Sequence, residues 1–210
     1  MVTPIKGDFA SIPLNNEGRA VGNTWDPAKD TAAGEQCKSY GAPAIMRVPG
    51  RLHISWADEN TLKVETDAGT QTRLFQFPHG ESIIGLPAAQ SAPRSWQGYS
   101  VANWERPVRG SGAPGFGLGA TREGAHGKSL EVVTGGLRAG YLRKNGPPYS
   151  ENTVLKEYYD LHKERNGDTW FTVTTVVEDR KYLTEPFVTS TDFKKIPDGA
   201  GWSPSPCVAK

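Results

Sequence analysis

The chain has 210 residues, with 24 Lys and Arg against 23 Asp and Glu, for a formal net charge of +1. That even balance, with no Lys/Arg block, leaves no electrostatic footprint for phosphates and argues against nucleic-acid binding. Mean hydropathy is −0.54 and no apolar run approaches the roughly 18 residues a membrane span needs, so no transmembrane segment and a soluble protein are expected.

The length suits one domain with a sizeable core. Aromatics make up 10% of the chain, and the 24 Gly and 16 Pro supply many turns. A core of large rings under extensive loops follows from that mixture. Cys37 and Cys207 are the only cysteines. Either they are free thiols of a cytoplasmic protein, or they form one long-range staple in an oxidising compartment. The start, MVTPIKGDF, lacks the apolar core of a signal peptide. The cysteine count favours a chain whose leader was removed, hence a periplasmic or secreted protein. The staple would close a loop of about 170 residues, worth ~5 kcal/mol on the chain-entropy argument.

In chain order, residues 1–39 read as an extended arm with one short helix. Asn15 or Asn16 caps it, residues 17–24 form it and Asp26-Pro27 ends it. Trp25 is its expected anchor. Residues 40–210 read as a β domain. Short runs at 44–48, 51–56, 61–66 and 70–77, separated by turn signals, predict hairpins. Within 51–56, Leu52, Ile54 and Trp56 share one face, with His53 and Ser55 on the other. Residues 78–94 look like a loop crossing the molecule, and 95–104 a further strand. The Gly-rich stretch 105–127 reads as a long excursion before strands at 128–134, 137–143, 153–163, 169–178 and 187–194.

Segment 153–163 is open to two readings. A helix would align Val154, Tyr158 and Leu161. A strand would place Leu155, Tyr159 and Leu161 on one face and Lys156, Tyr158, Asp160 and His162 on the other. Asn166-Gly167 followed by a β-branched run favours the strand. The sum is eight to ten antiparallel strands, which a closed barrel would leave without exposed edges.

Several features carry possible chemistry. Gly110–Gly115 matches G-x-G-x-x-G but sits in no strand–helix context, so it is a loop. Of the four histidines His53, His79, His126 and His162, His53 and His162 could join Asp160 in a two-His-one-carboxylate metal group inside a barrel. Ordinary surface histidines are the plainer alternative. The same residues with Tyr158 are the candidate acid–base groups of a barrel enzyme. Arg143 or Lys144, beside a tight turn, could grip a carboxylate or phenolate, or simply face solvent. Glu185 could act as an acid or base, though a turn-stabilising role suits it better. The aromatic set Trp56, Phe75, Phe77, Trp96, Tyr99, Trp104, Tyr158, Tyr159 and Trp170 would line a pocket or merely fill a core. Trp56, Trp96, Tyr99, Arg143 and Tyr159 are the candidate ligand contacts.

The strings RLHISWADENTLKVETDAGTQTRLF, SWQGYSVANWE, GYLRKNGPPYSENTVLKEYYD and TVTTVVEDRKYLTEPFVTST, the opening from Gly7 through Trp25 to Cys37 and the closing PSPC carry a resemblance. The chain resembles, over nearly its whole length, an uncharacterised exported bacterial family of soil acidobacteria and proteobacteria. The resemblance implies export and a lipocalin-like β-barrel and supplies no catalytic residues. The 105–127 stretch is longer than the turn relatives use. The expectation is therefore one calycin-like antiparallel barrel holding a small aromatic or apolar molecule, with no cofactor. A barrel enzyme (hydrolase, lyase or isomerase) and a solidly filled envelope protein are the alternatives.

Overall fold

The computed structural model describes residues 4–78, 93–104 and 129–209. The expectations for His79, His126, Gly110–Gly115, the 105–127 excursion and most of the 78–94 crossing lie outside the described residues.

The arm holds more helix than its sequence suggested. Asn15 caps α1 (Asn16–Asn23), its Oδ1 accepting the Gly18 N–H at 2.8 Å. Asp26-Pro27 starts a second helix, α2 (Pro27–Ala32), instead of only ending the first. The Asp26 carboxylate accepts the N–H groups of Ala28 and Lys29 at 3.0 and 3.3 Å. Pro27 occupies the first turn, where its missing N–H costs nothing. A 3-10 turn (Gln36–Tyr40) and α3 (Ala42–Ile45) follow. The strand expected at 44–48 is thus helix and turn, because Pro43 fixes a helical φ at its start. Trp25 does anchor the arm: Gly146, at φ +96°, has no room for a Cβ, which would come within 2.3 Å of Trp25.

The strands are β1 (Leu52–Asp58), β2 (Thr61–Thr66), β3 (Ala68–Gly69), β4 (Gln71–Gln76), β5 (Tyr99–Trp104), β6 (Ser129–Gly135), β7 (Gly140–Tyr141), β8 (Pro148–Tyr149), β9 (Val154–Lys163), β10 (Thr169–Glu178), β11 (Phe187–Lys194) and β12 (Ser205–Pro206). Eight of them form one sheet in the order β1-β2-β4-β5-β6-β9-β10-β11. Segment 153–163 is strand, and it turns into β10 at Gly167, whose φ is +90°.

Two features of the expected barrel are corrected. The sheet curls into a half-barrel and does not close, since β1 and β11 are not paired with each other. Nor is it wholly antiparallel: β4 and β5 run parallel, with Phe75 opposite Ser100. Strand alternation predicts which face a residue takes but not the direction of a neighbour reached through a long connection.

The cross-strand register defines the inward face. Val64 sits opposite Arg73, Phe75 opposite Ser100, Thr134 opposite Leu155, Glu157 opposite Thr175 and Tyr159 opposite Val173. The arm fills one end of this trough. Phe9, Ile12 and Leu14 pack with Leu155, Val177 and Phe187, and Tyr40, Ile45 and Met46 with Val64, Phe75 and Val173.

The expected staple forms between Cys37 and Cys207, with Cα atoms 5.1 Å apart. It joins the 3-10 turn to the tail after β12, which pairs in parallel with β3. Asp67 secures this junction. Its carboxylate accepts the N–H groups of Arg51 and Ala68 at 2.7 Å, and its carbonyl accepts Ser205 N–H at 2.9 Å.

Candidate functional site

The middle of the trough is closed by a charged pair that sequence reasoning did not single out. Arg73 projects inward from β4 and Glu157 from β9, three strand positions away, or about 14 Å along the sheet. The curl brings the two long side chains together. Arg73 donates Nη1 to Glu157 Oε1 at 2.9 Å and Nη2 to Oε2 at 2.6 Å, and both side chains are 0% exposed. Thr134 Oγ1 accepts a further Nη2 bond at 3.3 Å and lies 2.7 Å from Ser100 Oγ. Tyr159 donates its hydroxyl to Glu157 Oε1 at 3.3 Å.

Burial disfavours the charged guanidinium, but the Glu157 carboxylate outweighs it and holds the Arg73 pKa above its usual value. Burial, reinforced by Glu157, also pushes the Tyr159 phenol well up, keeping it a neutral donor. A signal for this node did exist. Arg73 shares the parity of Phe75, and Glu157 stands between inward Leu155 and Tyr159. A charge on an apolar parity is the mark of a buried pair.

Beyond this node the trough opens onto rings. The Trp56 and Phe77 centroids are 5.3 Å apart, and those of Phe77 and Trp104 are 5.9 Å apart. A second chain of contacts runs Phe75–Tyr159–Phe171–Phe193 at 5.6, 6.2 and 5.1 Å. Trp56 is 54% exposed and Trp104 53%, and Leu161 and Ile54 are exposed beside them. None of these side chains is charged.

The expected site residues do not converge. His53 is an exposed β1 residue with Nδ1 3.0 Å from Glu65 Oε2, on the opposite face from Trp56. Asp160 and His162 are exposed on β9, five strand positions from β1, or about 24 Å along the sheet. The proposed metal group of His53, Asp160 and His162 is therefore not assembled. Among the described residues no cluster of three or more His, Cys, Asp or Glu could hold a metal ion. Tyr158 faces outward, opposite Glu131 and Thr174, on the same face of β9 as Asp160 and His162, so of the acid–base set only His53 stands apart, and none of it faces the trough.

The ligand contacts split likewise. Trp56 and Tyr159 are inward residues, whereas Tyr99 shares the outward parity of Val101 and Asn103. Trp96 lies outside the sheet under Arg138, whose Cζ is 4.3 Å from its ring centroid. Arg143 fastens the arm, donating to Asn145 Oδ1 at 2.9 Å and to the Asp8 carbonyl.

Comparison of the chain with protein-family models, curated proteins and solved structures found no match.

Proposed function

We propose that the protein is an exported binding module that holds a flat, uncharged aromatic or apolar molecule at the open end of its trough. The carrying observation is the row Trp56–Phe77–Trp104: joined through Phe77, inward-facing, and more than half exposed at both outer rings. Large exposed rings on a concave surface favour a ligand that removes them from water. Arg73 and Glu157 neutralise each other beneath the rings, which supports an uncharged ligand. The disulfide supports an oxidising location. The expectation of a molecule enclosed in the interior is narrowed accordingly, because the arm and the charged pair occupy the lower trough.

Titration with naphthalene, indole and decanol, read by tryptophan fluorescence and melting temperature, tests this reading. Saturable quenching with a raised Tm, weakened at least about tenfold in Trp56→Ala, is the expected result. Unchanged spectra and Tm across all three would favour the second reading, a structural envelope protein whose trough is simply filled. The solid packing around Arg73 and Phe75, which are 1% and 0% exposed, favours that alternative.

A further inference from the structure

Three half-buried lysines of this protein meet carboxylates. Lys38 bonds Asp30 at 2.9 Å and also meets Glu35. Lys63 meets Glu65 at 3.0 Å, and Lys156 meets Glu178 at 2.8 Å. Two arginines depart from the pattern. Arg47, just past α3, donates Nη2 to the carbonyls of Pro43 and Leu142, with Cζ 4.9 Å from the Phe187 ring centroid. Arg143 adjoins that same Leu142 and donates to Asn145 Oδ1 and the Asp8 carbonyl. Every acceptor is a neutral oxygen.

Among the described residues, neither arginine has a carboxylate within salt-bridge distance. The Nε–H and Nη1 hydrogens of Arg47 and the Nη1 hydrogens of Arg143 have no partner among the described residues. Asp8 is the acidic group that acts on Arg143, but its Oδ1 accepts the Ala10 N–H at 3.1 Å. Lys144 is occupied elsewhere, with Nζ 2.6 Å from the Tyr40 hydroxyl.

Arg47 thus reaches the carbonyl of the residue that immediately precedes Arg143, and after burial the charge of Arg143 lowers the proton affinity of Arg47. Two desolvated like charges with only Asp8 acting on one of them, and no carboxylate at bonding distance of either, are unfavourable, and an oxyanion is the group that relieves them while matching their planar forks. The forks are also pre-set. Backbone carbonyls orient Arg47. Asn145, 0% exposed, orients Arg143 while donating to the carbonyls of Ile5 and Asp8 at 3.0 and 2.7 Å.

We infer that Arg47 and Arg143 form an oxyanion site for the carboxylate or phosphate group of a small molecule. It lies against Phe187, at the closed end of the trough and away from the ring row.

The test is thermal melting of the intact disulfide-bonded protein at pH 7, in sodium phosphate, sodium acetate and sodium chloride at matched ionic strength. A saturable rise in Tm with phosphate or acetate over chloride is expected, following the logarithm of anion concentration over Kd. A rise with phosphate alone assigns a phosphoryl group, and a rise with acetate alone assigns a carboxylate. Arg143→Gln should abolish the rise, and Arg19→Gln on exposed α1 should retain it. Arg47→Lys, which keeps the charge but loses the fork, should bind about tenfold more weakly. If Arg143→Gln does not fold, broadening of the phosphate phosphorus resonance by wild-type protein and its loss in Arg47→Lys replace that arm. Equal Tm in all three salts, or an undiminished rise in the folded Arg143→Gln protein, would overturn the site.

Discussion

The inward face of β9 differs sharply between its two ends. Leu155 and Glu157 are 0% exposed and Tyr159 is 8%, yet Leu161, two residues further and of the same parity, is 47% exposed. The same contrast runs across the sheet, from Phe75 at 0% to Trp56 and Trp104 at more than half. The closed end has partners from outside the sheet: the arm, the staple and the tail. Among the described residues, the open end has only neighbouring strands. Burial along this trough is thus set by what the termini cover and not by the strands, which keep one alternation throughout.

If that is right, damage at the closed end should be large and damage at the open end small. Replacing Cys37 and Cys207 together with Ser should lower unfolding free energy by up to about 5 kcal/mol, measured by urea denaturation; the 170-residue separation sets that ceiling. A loss below about 1 kcal/mol would mean that the other contacts of the tail hold the ends together unaided.

Next in size is the charged pair. Arg73→Met alone should cost about 3–5 kcal/mol by leaving Glu157 buried without a counter-charge. The double variant Arg73→Met/Glu157→Leu should recover most of that loss. A double variant as unstable as the single would show that packing volume, and not charge, closes the trough.

Alkaline pH probes the same region. Burial raises the phenols of Tyr149 and Tyr159, and pushes Tyr141 up to about 12 with Asp30 assisting. Each folded pKa lies above the unfolded value near 10. Their stabilisation is therefore complete below pH ~10 and lost as pH rises through the folded values. The share of phenolate absorbance that Tyr141→Phe, Tyr149→Phe or Tyr159→Phe removes should appear together with loss of circular dichroism, and its appearance in still-folded protein would contradict their burial.

The smallest stability effect belongs to the open end. Trp56→Ala or Trp104→Ala should cost about 1 kcal/mol or less, since each gives up little beyond one ring contact. A loss of several kcal/mol would mean that these rings support the fold.

Much of the sheet was legible. Residues 61–66, 169–178 and 187–194 coincide with β2, β10 and β11, because alternation with β-branched residues leaves little latitude there. The staple was readable from two cysteines alone. Closure was not readable: whether β1 and β11 meet depends on cumulative curl, and no single residue encodes it. The site suffered more. His53, Asp160 and His162 were grouped by residue type on an assumed closed barrel, and the half-barrel separates them. Arg73 and Glu157 were passed over because 84 residues separate them in the chain, although each carried the parity that places it inside.

The staple has one more consequence, for proteolysis. Residues 37–207 form a covalent ring, and its stretch 194–206 is exposed throughout. A protease that cuts there opens the ring without releasing a fragment. Nicked and intact protein would run together on a non-reducing gel, and a short C-terminal peptide would leave only once the disulfide is reduced.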